Sequence, residues 1–440
     1  MVDKTEMALP PKVVQLMKKK VAIPNPWAVE IGEEVQNKRI SGNGAVLYSG
    51  TKIYGEKTLI SSGAKLGYES PVTVIDCQIG PQVELKGGFF ASSVFMEKVS
   101  MGSGTQVRDG CILEEEVRGG HTVGLKQTIL FPFVTLGSLI NFCDCFMAGG
   151  TSRKNHSEVG SSYIHFNYTP QQDKATPSLI GDVPRGVMLN HPPIFLGGQG
   201  GLVGPARIGY GTVIAAGTVC RKDCPEGGKL LIEEGIPPEK TFHPGFYGDI
   251  RRRVYNNIYY LSNLLTLRQW YIHVRQPFFR LDELGEELYA GAMDKLDSAI
   301  EERLRQFQAL AVKMKISIEL GKKLLRGERS EILLSQQREL LENWPKIESC
   351  FTGGHEETVD LENRDAFLGI VYRQIKEEGR NYLGVIQGLP SHTSTTGTTW
   401  LKNVTDKITN MALNNIPSCK MHRLKAEGKS CVITQNFGAL

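Results

Sequence analysis

Between residues 155 and 182 the chain gathers imidazoles, amides, a phenol and a lysine: Asn155-His156-Ser157-Glu158, then His165-Phe166-Asn167-Tyr168, then Asp173-Lys174, closing on Ile180-Gly181-Asp182. An imidazole titrates near neutral pH and takes a proton from an attacking amine. A lysine suits an anionic group, and the amides and the phenol donate hydrogen bonds. These are the parts of a transferase site for a phosphorylated or nucleotide sugar. A lone histidine in such a place is more often structural than catalytic. The weight of the reading rests on the clustering of His156, Glu158, His165, Asn167 and Lys174.

Something must hold these groups, and the spacing of aliphatic residues says what. Leu196-Gly197, Leu202-Val203, Ile208-Gly209 and Ile214-Ala215 return every six positions. A period of six is the pattern of a parallel β-helix of hexapeptide repeats, each repeat giving one short strand and one tight turn. The aliphatic residue points into a narrow core, and the next must be small enough for the turn. Weaker copies at Ile79-Gly80, Met101-Gly102, Val123-Gly124, Leu136-Gly137, Val159-Gly160 and Ile180-Gly181 extend the coils. The expected solenoid covers residues 41–225, with breaks of phase at 114–120, 142–156 and 168–179. Such breaks are read as loops leaving the coil, where sites tend to sit.

Residues 1–40 read as a short amphipathic helix (Val13, Val14, Leu16, Met17) stopped by Pro24-Asn25-Pro26, a cap or an oligomer contact. After Pro225 helical spacing takes over. Leu281, Leu284, Leu288, Met293, Leu296, Ile300, Leu304, Phe307, Leu310 or Ala311, Met314 and Ile318 recur mostly at three and four, giving one long amphipathic helix. Another is expected around 255–274, ending before Pro277, with more at 329–348 and 363–387. The expected α-helical domain is 246–387. The Ser/Thr run at 391–399 makes 388–440 a linker and tail.

With 440 residues, 40% apolar and 22% charged, the chain has the balance of a globular protein. A net charge of +4 gives no case for nucleic acid, and Lys18-Lys19-Lys20 and Arg251-Arg252-Arg253 read as solvated helix faces. No apolar run approaches the roughly 20 residues of a membrane span, and none near the N-terminus makes a signal peptide. Nine scattered cysteines point to a reduced, cytoplasmic setting. Cys143-Asp144-Cys145 and the pair Cys220 and Cys224 lack a second pair at zinc-site spacing, so no metal is expected.

The block Asn167-Tyr168, Asp173-Lys174 and Ile180-Gly181-Asp182, followed by Leu202-Val203-Gly204-Pro205, Ile208-Gly209-Tyr210-Gly211 and Val213-Ile214-Ala215-Ala216-Gly217-Thr218, closely resembles the acetyltransferase domain of the bifunctional N-acetylglucosamine-1-phosphate uridyltransferase / glucosamine-1-phosphate acetyltransferase family. The resemblance covers about 65 residues well. It implies a left-handed parallel β-helix, assembly as a homotrimer with sites between subunits, and acetyl-coenzyme A as co-substrate. It carries sugar-phosphate binding onto Asn167, Tyr168 and Lys174, and coenzyme binding onto Gly197, Gly198, Ala215 and Ala216. The family's general base falls near Asp144 by its spacing from the Asn-Tyr pair. His156 is therefore the first candidate for the base, followed by His165 and His191. Glu158 and Gly198 stand where the family has an asparagine and a serine. Only about 40 residues precede the solenoid, too few for the family's nucleotide-binding half, so uridyl transfer is not expected of this chain.

Two other readings compete. A γ-type carbonic anhydrase uses this fold with histidines around zinc, for which His121, His156, His165 and His191 are the available imidazoles, although their spacing does not match. The other is a non-catalytic scaffold or sugar-nucleotide sensor whose long helices dock a protein partner.

Overall fold

The computed structural model describes residues 8–232, 242–325, 328–378 and 381–420. Strands of two to four residues, all paired in parallel, stack into the three faces of a solenoid. The first face has ten strands, Val46–Leu47 to Leu230–Leu231. The second also has ten, from Glu30–Ile31 to Val219–Cys220, and the third has eight, from Leu59–Ile60 to Arg207–Ile208. On the second face Gln106 pairs with Gly124 and Gly124 with Asn141, steps of 18 and 17 residues, so one coil consumes three hexapeptides. The hexapeptide aliphatics Leu85, Leu136, Leu196, Leu202, Ile208 and Ile214 point inward and are buried.

Strands on the first and second faces alternate a buried inner residue with a more exposed outer one, as in Val213–Ile214 and Lys52–Tyr54. The third face buries both residues in every strand but the last, Arg207–Ile208, where Arg207 is half-buried. Its outward row is Leu59, Val94, Ile112, Ile129, Phe146 and Leu179, all at 2% exposure or less. What covers it is the C-terminal helical region.

That region consists of α3 (Arg251–Trp270), α4 (Gln276–Phe279), α5 (Gly285–Leu324), α6 (Glu328–Glu342), α7 (Trp344–Thr352), α8 (Leu361–Glu378), α9 (Tyr382–Gln387) and α10 (Ser391–Asn414). Two further helices precede it: α1 (Pro11–Lys18), and α2 (Val183–Gly186) within the solenoid. The forty-residue α5 buries the expected stripe from Leu288 through Leu296, Ile300, Leu304, Phe307, Leu310, Met314 and Ile318, whereas Leu281 and Leu284 precede the helix and Leu281 is exposed. Glu286 and Glu287 in its first turn and Lys322 and Lys323 in its last complement the helix dipole. It runs against the third face so closely that a Cβ on Gly291 would stand 2.5 Å from Gln78 Oε1. Each large aliphatic side chain covered in this way contributes roughly 1.5–3 kcal/mol.

Three expectations need correction. Residues 391–414 are a 24-residue helix, not a linker. Trp400, Leu401, Val404 and Ile408 are buried, and its hydroxyls are paired across the interface with α3, Thr405 to Thr266 at 2.8 Å and Thr409 to Ser262 at 2.9 Å. The tail beyond 420 lies outside the described residues. Nor is there a break at 114–120: Ile112–Leu113 and Arg118–Gly119 keep register with the coils on either side. Glu114 and Glu115 sit buried in that turn because Tyr271 OH donates to the first at 2.6 Å and Arg275 Nη2 pairs with the second at 2.6 Å. Finally, strands extend beyond the expected solenoid at both ends, from Glu30 to Leu231.

Candidate functional site

The two remaining phase breaks do mark loops, and a third accompanies them. On the second face Asn141 pairs with Ile164, a step of 23, and Ile164 with Gly201, a step of 37. The extra residues leave at two corners. Residues 148–157 and 181–194 bulge where the third face turns into the first, the latter carrying α2. Residues 167–177 bulge where the second face turns into the third.

His156 closes the first of these loops. Its Nδ1 lies 2.9 Å from the carbonyl of Arg153, and since a carbonyl only accepts, Nδ1 carries the proton and the Nε2 lone pair is free. Nε2 stands 3.6 Å from Glu158 Oε2, on the neighbouring first-face strand. Burial first, then the charge of Arg153, hold this imidazole below its ordinary pKa of 6.5, so it is neutral at pH 7. The loop is tightly built. A Cβ on Gly149 would stand 1.8 Å from Pro132 O, and one on Gly150 2.1 Å from Asn155 O. Ser157 Oγ donates to Gly149 O and accepts from Ile194 N, tying this loop to the next. Gln387 on α9 donates to Thr151 O at 2.7 Å.

His165 has a different setting. It is an inward residue of strand Ile164–Phe166, 3% exposed, with Nδ1 2.6 Å from Cys143 O and Nε2 2.8 Å from Ser178 Oγ. Burial depresses its pKa to about 4. With both nitrogens bonded inside the core, this geometry leaves no lone pair facing solvent.

Asn167, Tyr168 and Lys174 lie on the 167–177 loop, at the opposite edge of the third face from His156. Tyr168 and Lys174 are exposed. Asn167 Nδ2 donates to Asp144 Oδ2 at 2.9 Å, and Asp144 Oδ1 pairs at 2.9 Å with Arg303 of α5. The rest of the loop is fastened to the helical region. Lys313 Nζ donates to the carbonyls of Gln171 and Gln172, and Asn257 Nδ2 to Ala175 O. Buried Asp173 accepts from Thr169 Oγ1 at 2.5 Å and from Tyr247 OH at 3.3 Å, with Arg253 Nη1 3.7 Å away.

Gly197, Gly198, Ala215 and Ala216 occupy the third corner, between the first and second faces. Gly197 is required by packing there, since a Cβ would fall 2.3 Å from Ala216 N. Within one chain the candidate base, the candidate sugar-binding residues and the candidate coenzyme corner thus stand on three separate edges. The histidines do not converge either. His121 is at the first–second corner, 3.2 Å from Ser103 Oγ, and His191 lies on the 181–194 loop against the Tyr210 ring. Among the described residues no three His, Cys, Asp or Glu side chains gather where they could hold a metal ion. The eight described cysteines are unpaired and buried.

Sequence reasoning did not single out Asp144 as a partner of Asn167, nor Arg303, Tyr247 and Arg253. Asp144 carried one signal, its place at the family's spacing for the base. Arg303 carried none, being one of many charges along a long helix.

No protein-family model matches the chain. Among curated proteins, "Bifunctional protein GlmU" of Thermotoga maritima is 28% identical over 215 residues, 49% of this chain and 42% of that protein. The protein of the same name from Trichlorobacter lovleyi is 29% identical over 213 residues, covering 48% and 41%. That of Staphylococcus haemolyticus is 26% identical over 226 residues, covering 51% and 45%. The chain spans less than half the length of these relatives. Its three-faced solenoid and this similarity agree that the chain resembles a hexapeptide-repeat acetyltransferase, of the kind found in the acetyltransferase domain of GlmU.

Proposed function

We propose that the chain is an acyltransferase that moves the acetyl group of acetyl-coenzyme A to the amine of an amino-sugar phosphate or nucleotide sugar. The observation that carries this reading is His156: a neutral imidazole, fixed in one tautomer by a backbone carbonyl, with its free Nε2 at the mouth of a tightly built loop. In the reaction Nε2 takes the amine proton as the nitrogen attacks the thioester carbonyl. Backbone N–H groups stabilise the oxyanion, and coenzyme A leaves as the thiol. Glu158 faces the imidazolium so formed. The coenzyme lies along Gly197, Gly198, Ala215 and Ala216, and the sugar phosphate meets Asn167, Tyr168 and Lys174. Because these groups stand on separate edges of one chain, the complete site belongs to a homotrimer in which edges of neighbouring copies meet.

One observation favours a second reading, a non-catalytic scaffold or sensor. The 167–177 loop is bonded at Gln171, Gln172 and Ala175 to the helical region, which an acceptor would have to share. Calorimetric titration with acetyl-coenzyme A, alone and with glucosamine 1-phosphate, separates the two. Saturable binding of both, with turnover lost but binding kept in His156→Ala, supports transfer. Absence of coenzyme binding at millimolar concentration overturns it in favour of the scaffold.

A further inference from the structure

We propose that Arg303 of the helical region is a positioning residue for the sugar site: through Asp144 it fixes the direction in which Asn167 presents its amide. The proposal rests on the acyl-transfer reading of the 167–177 loop and adds to it a role for the helical region.

The geometry is a chain of three side chains with one buried carboxylate at its centre. Asp144 is 4% exposed, and each of its oxygens has a different partner, Oδ1 the Arg303 guanidinium and Oδ2 the Asn167 amide, both at 2.9 Å. Arg303 is itself 4% exposed and comes from the middle of α5. An ionised carboxylate only accepts, so Asn167 must give it the NH2 group. The amide oxygen of Asn167 is then turned away from Asp144, as an acceptor. A phosphate, itself rich in acceptors, gains nothing from that oxygen. A hydroxyl or an ammonium group does. Asn167 is accordingly assigned to the donor side of the acceptor sugar, its hydroxyl or amine, while the anionic end is left to Lys174.

Arg303 sustains this arrangement in two ways. Its guanidinium holds Oδ1 of Asp144, which leaves Oδ2 facing Asn167 as the acceptor for its NH2 group. Its position on α5 also ties the start of the loop to the helix that holds Gln171 and Gln172 through Lys313. Asp144 has a φ of +62°, which glycine adopts freely, so the pair can be removed without backbone strain or a lone buried charge.

The test compares the full-length wild type, Arg303→Lys, and the double variant Asp144→Gly/Arg303→Met. Glucosamine 1-phosphate and acetyl-coenzyme A are the calorimetric probes, and hydrogen exchange is followed in the 166–177 segment. In the double variant, glucosamine 1-phosphate affinity should fall at least tenfold, with acetyl-coenzyme A affinity unchanged and exchange in the segment faster. Arg303→Lys, which keeps one donor for Asp144, should stay within about threefold of wild type in both readouts. Wild-type sugar affinity and exchange in the double variant overturn the proposal. If the wild type does not bind glucosamine 1-phosphate, the acceptor reading has failed. The exchange comparison then decides alone whether Arg303 positions the loop, with unchanged exchange overturning it.

Discussion

Arg275 and Glu115 form an ion pair across the seam between the helical region and the solenoid, Nη2 to Oε1 at 2.6 Å, with both residues buried. The guanidinium also stacks on the Tyr382 ring, 3.7 Å from its centroid. A buried pair of this kind adds little over an apolar replacement, but removing one partner strands the other. Glu115→Ala should therefore cost about 3–5 kcal/mol. Replacing both, as Glu115→Leu/Arg275→Met, should cost clearly less. Denaturant unfolding of the three proteins checks the order.

The outward row of the third face makes a prediction by position. Ile129→Asp would put an unpaired charge under the helices and should destabilise by more than about 3 kcal/mol. Val312→Asp, exposed on α5, should stay within about 0.5 kcal/mol. Calorimetric melting of both variants tests whether the helices stay on the third face in solution.

Two buried groups give stability opposite slopes with pH. His165 has a folded pKa of about 4 against 6.5 in the free side chain, so between these values the unfolded chain binds the extra proton. Its contribution is present above pH 6.5 and is lost as pH falls toward 4, by of order 3 kcal/mol. Glu114 runs the other way. Burial, with Glu115 adding and Arg275 opposing, raises it to about 7, so the folded chain holds the extra proton and stability drops as pH rises from 4.5 to 7. Glu114→Gln should remove the second slope and leave the first. Unfolding midpoints from pH 5 to 8 read this directly, and a Glu114→Gln curve parallel to wild type would contradict it.

His156 sets the pH profile of the proposed transfer. With its pKa held below 6.5, the base should be fully active at neutral pH, and kcat/KM should lose activity only on the acid side of that value. His156→Gln should lower kcat by about 10²–10⁴ and abolish that acid limb. An unaltered limb in the variant would assign it to another group.

Much of the fold is legible in the residues, because an aliphatic every six positions has few solutions other than a coil with a narrow core. The doublets Ile112-Leu113, Ile129-Leu130 and Phe146-Met147 mark the covered third face, the second apolar residue filling the core and the first facing the helices, a signal that the six-residue period alone does not use. The turn at 114–120 was not legible. Two adjacent glutamates look like a loop until Tyr271 and Arg275, about 160 positions later, arrive to pair with them. The Ser/Thr run before Trp400 misled for a different reason, since hydroxyls that propensity assigns to a linker donate here to carbonyls one turn back in their own helix, Thr395 to Ser391 O, Thr396 to His392 O and Thr399 to Thr395 O. At the site, residue types and order located the loops. Which partner each side chain would take depended on α5, whose register against the solenoid no local pattern reveals.

The covered third face also decides how this molecule can meet others. A prism closed along one side has a keel opposite that side, and here the keel is the corner of Gly160, Gly197 and Ala215. Exposed Phe195, Val213 and Leu230 slope away on one flank, and Ile164 and Phe166 on the other. A neighbour that packs against the sides of the solenoid and leaves the helical region in place has to settle over this ridge or its flanks, so the side chains there set the geometry of such an assembly while the helices set its limit.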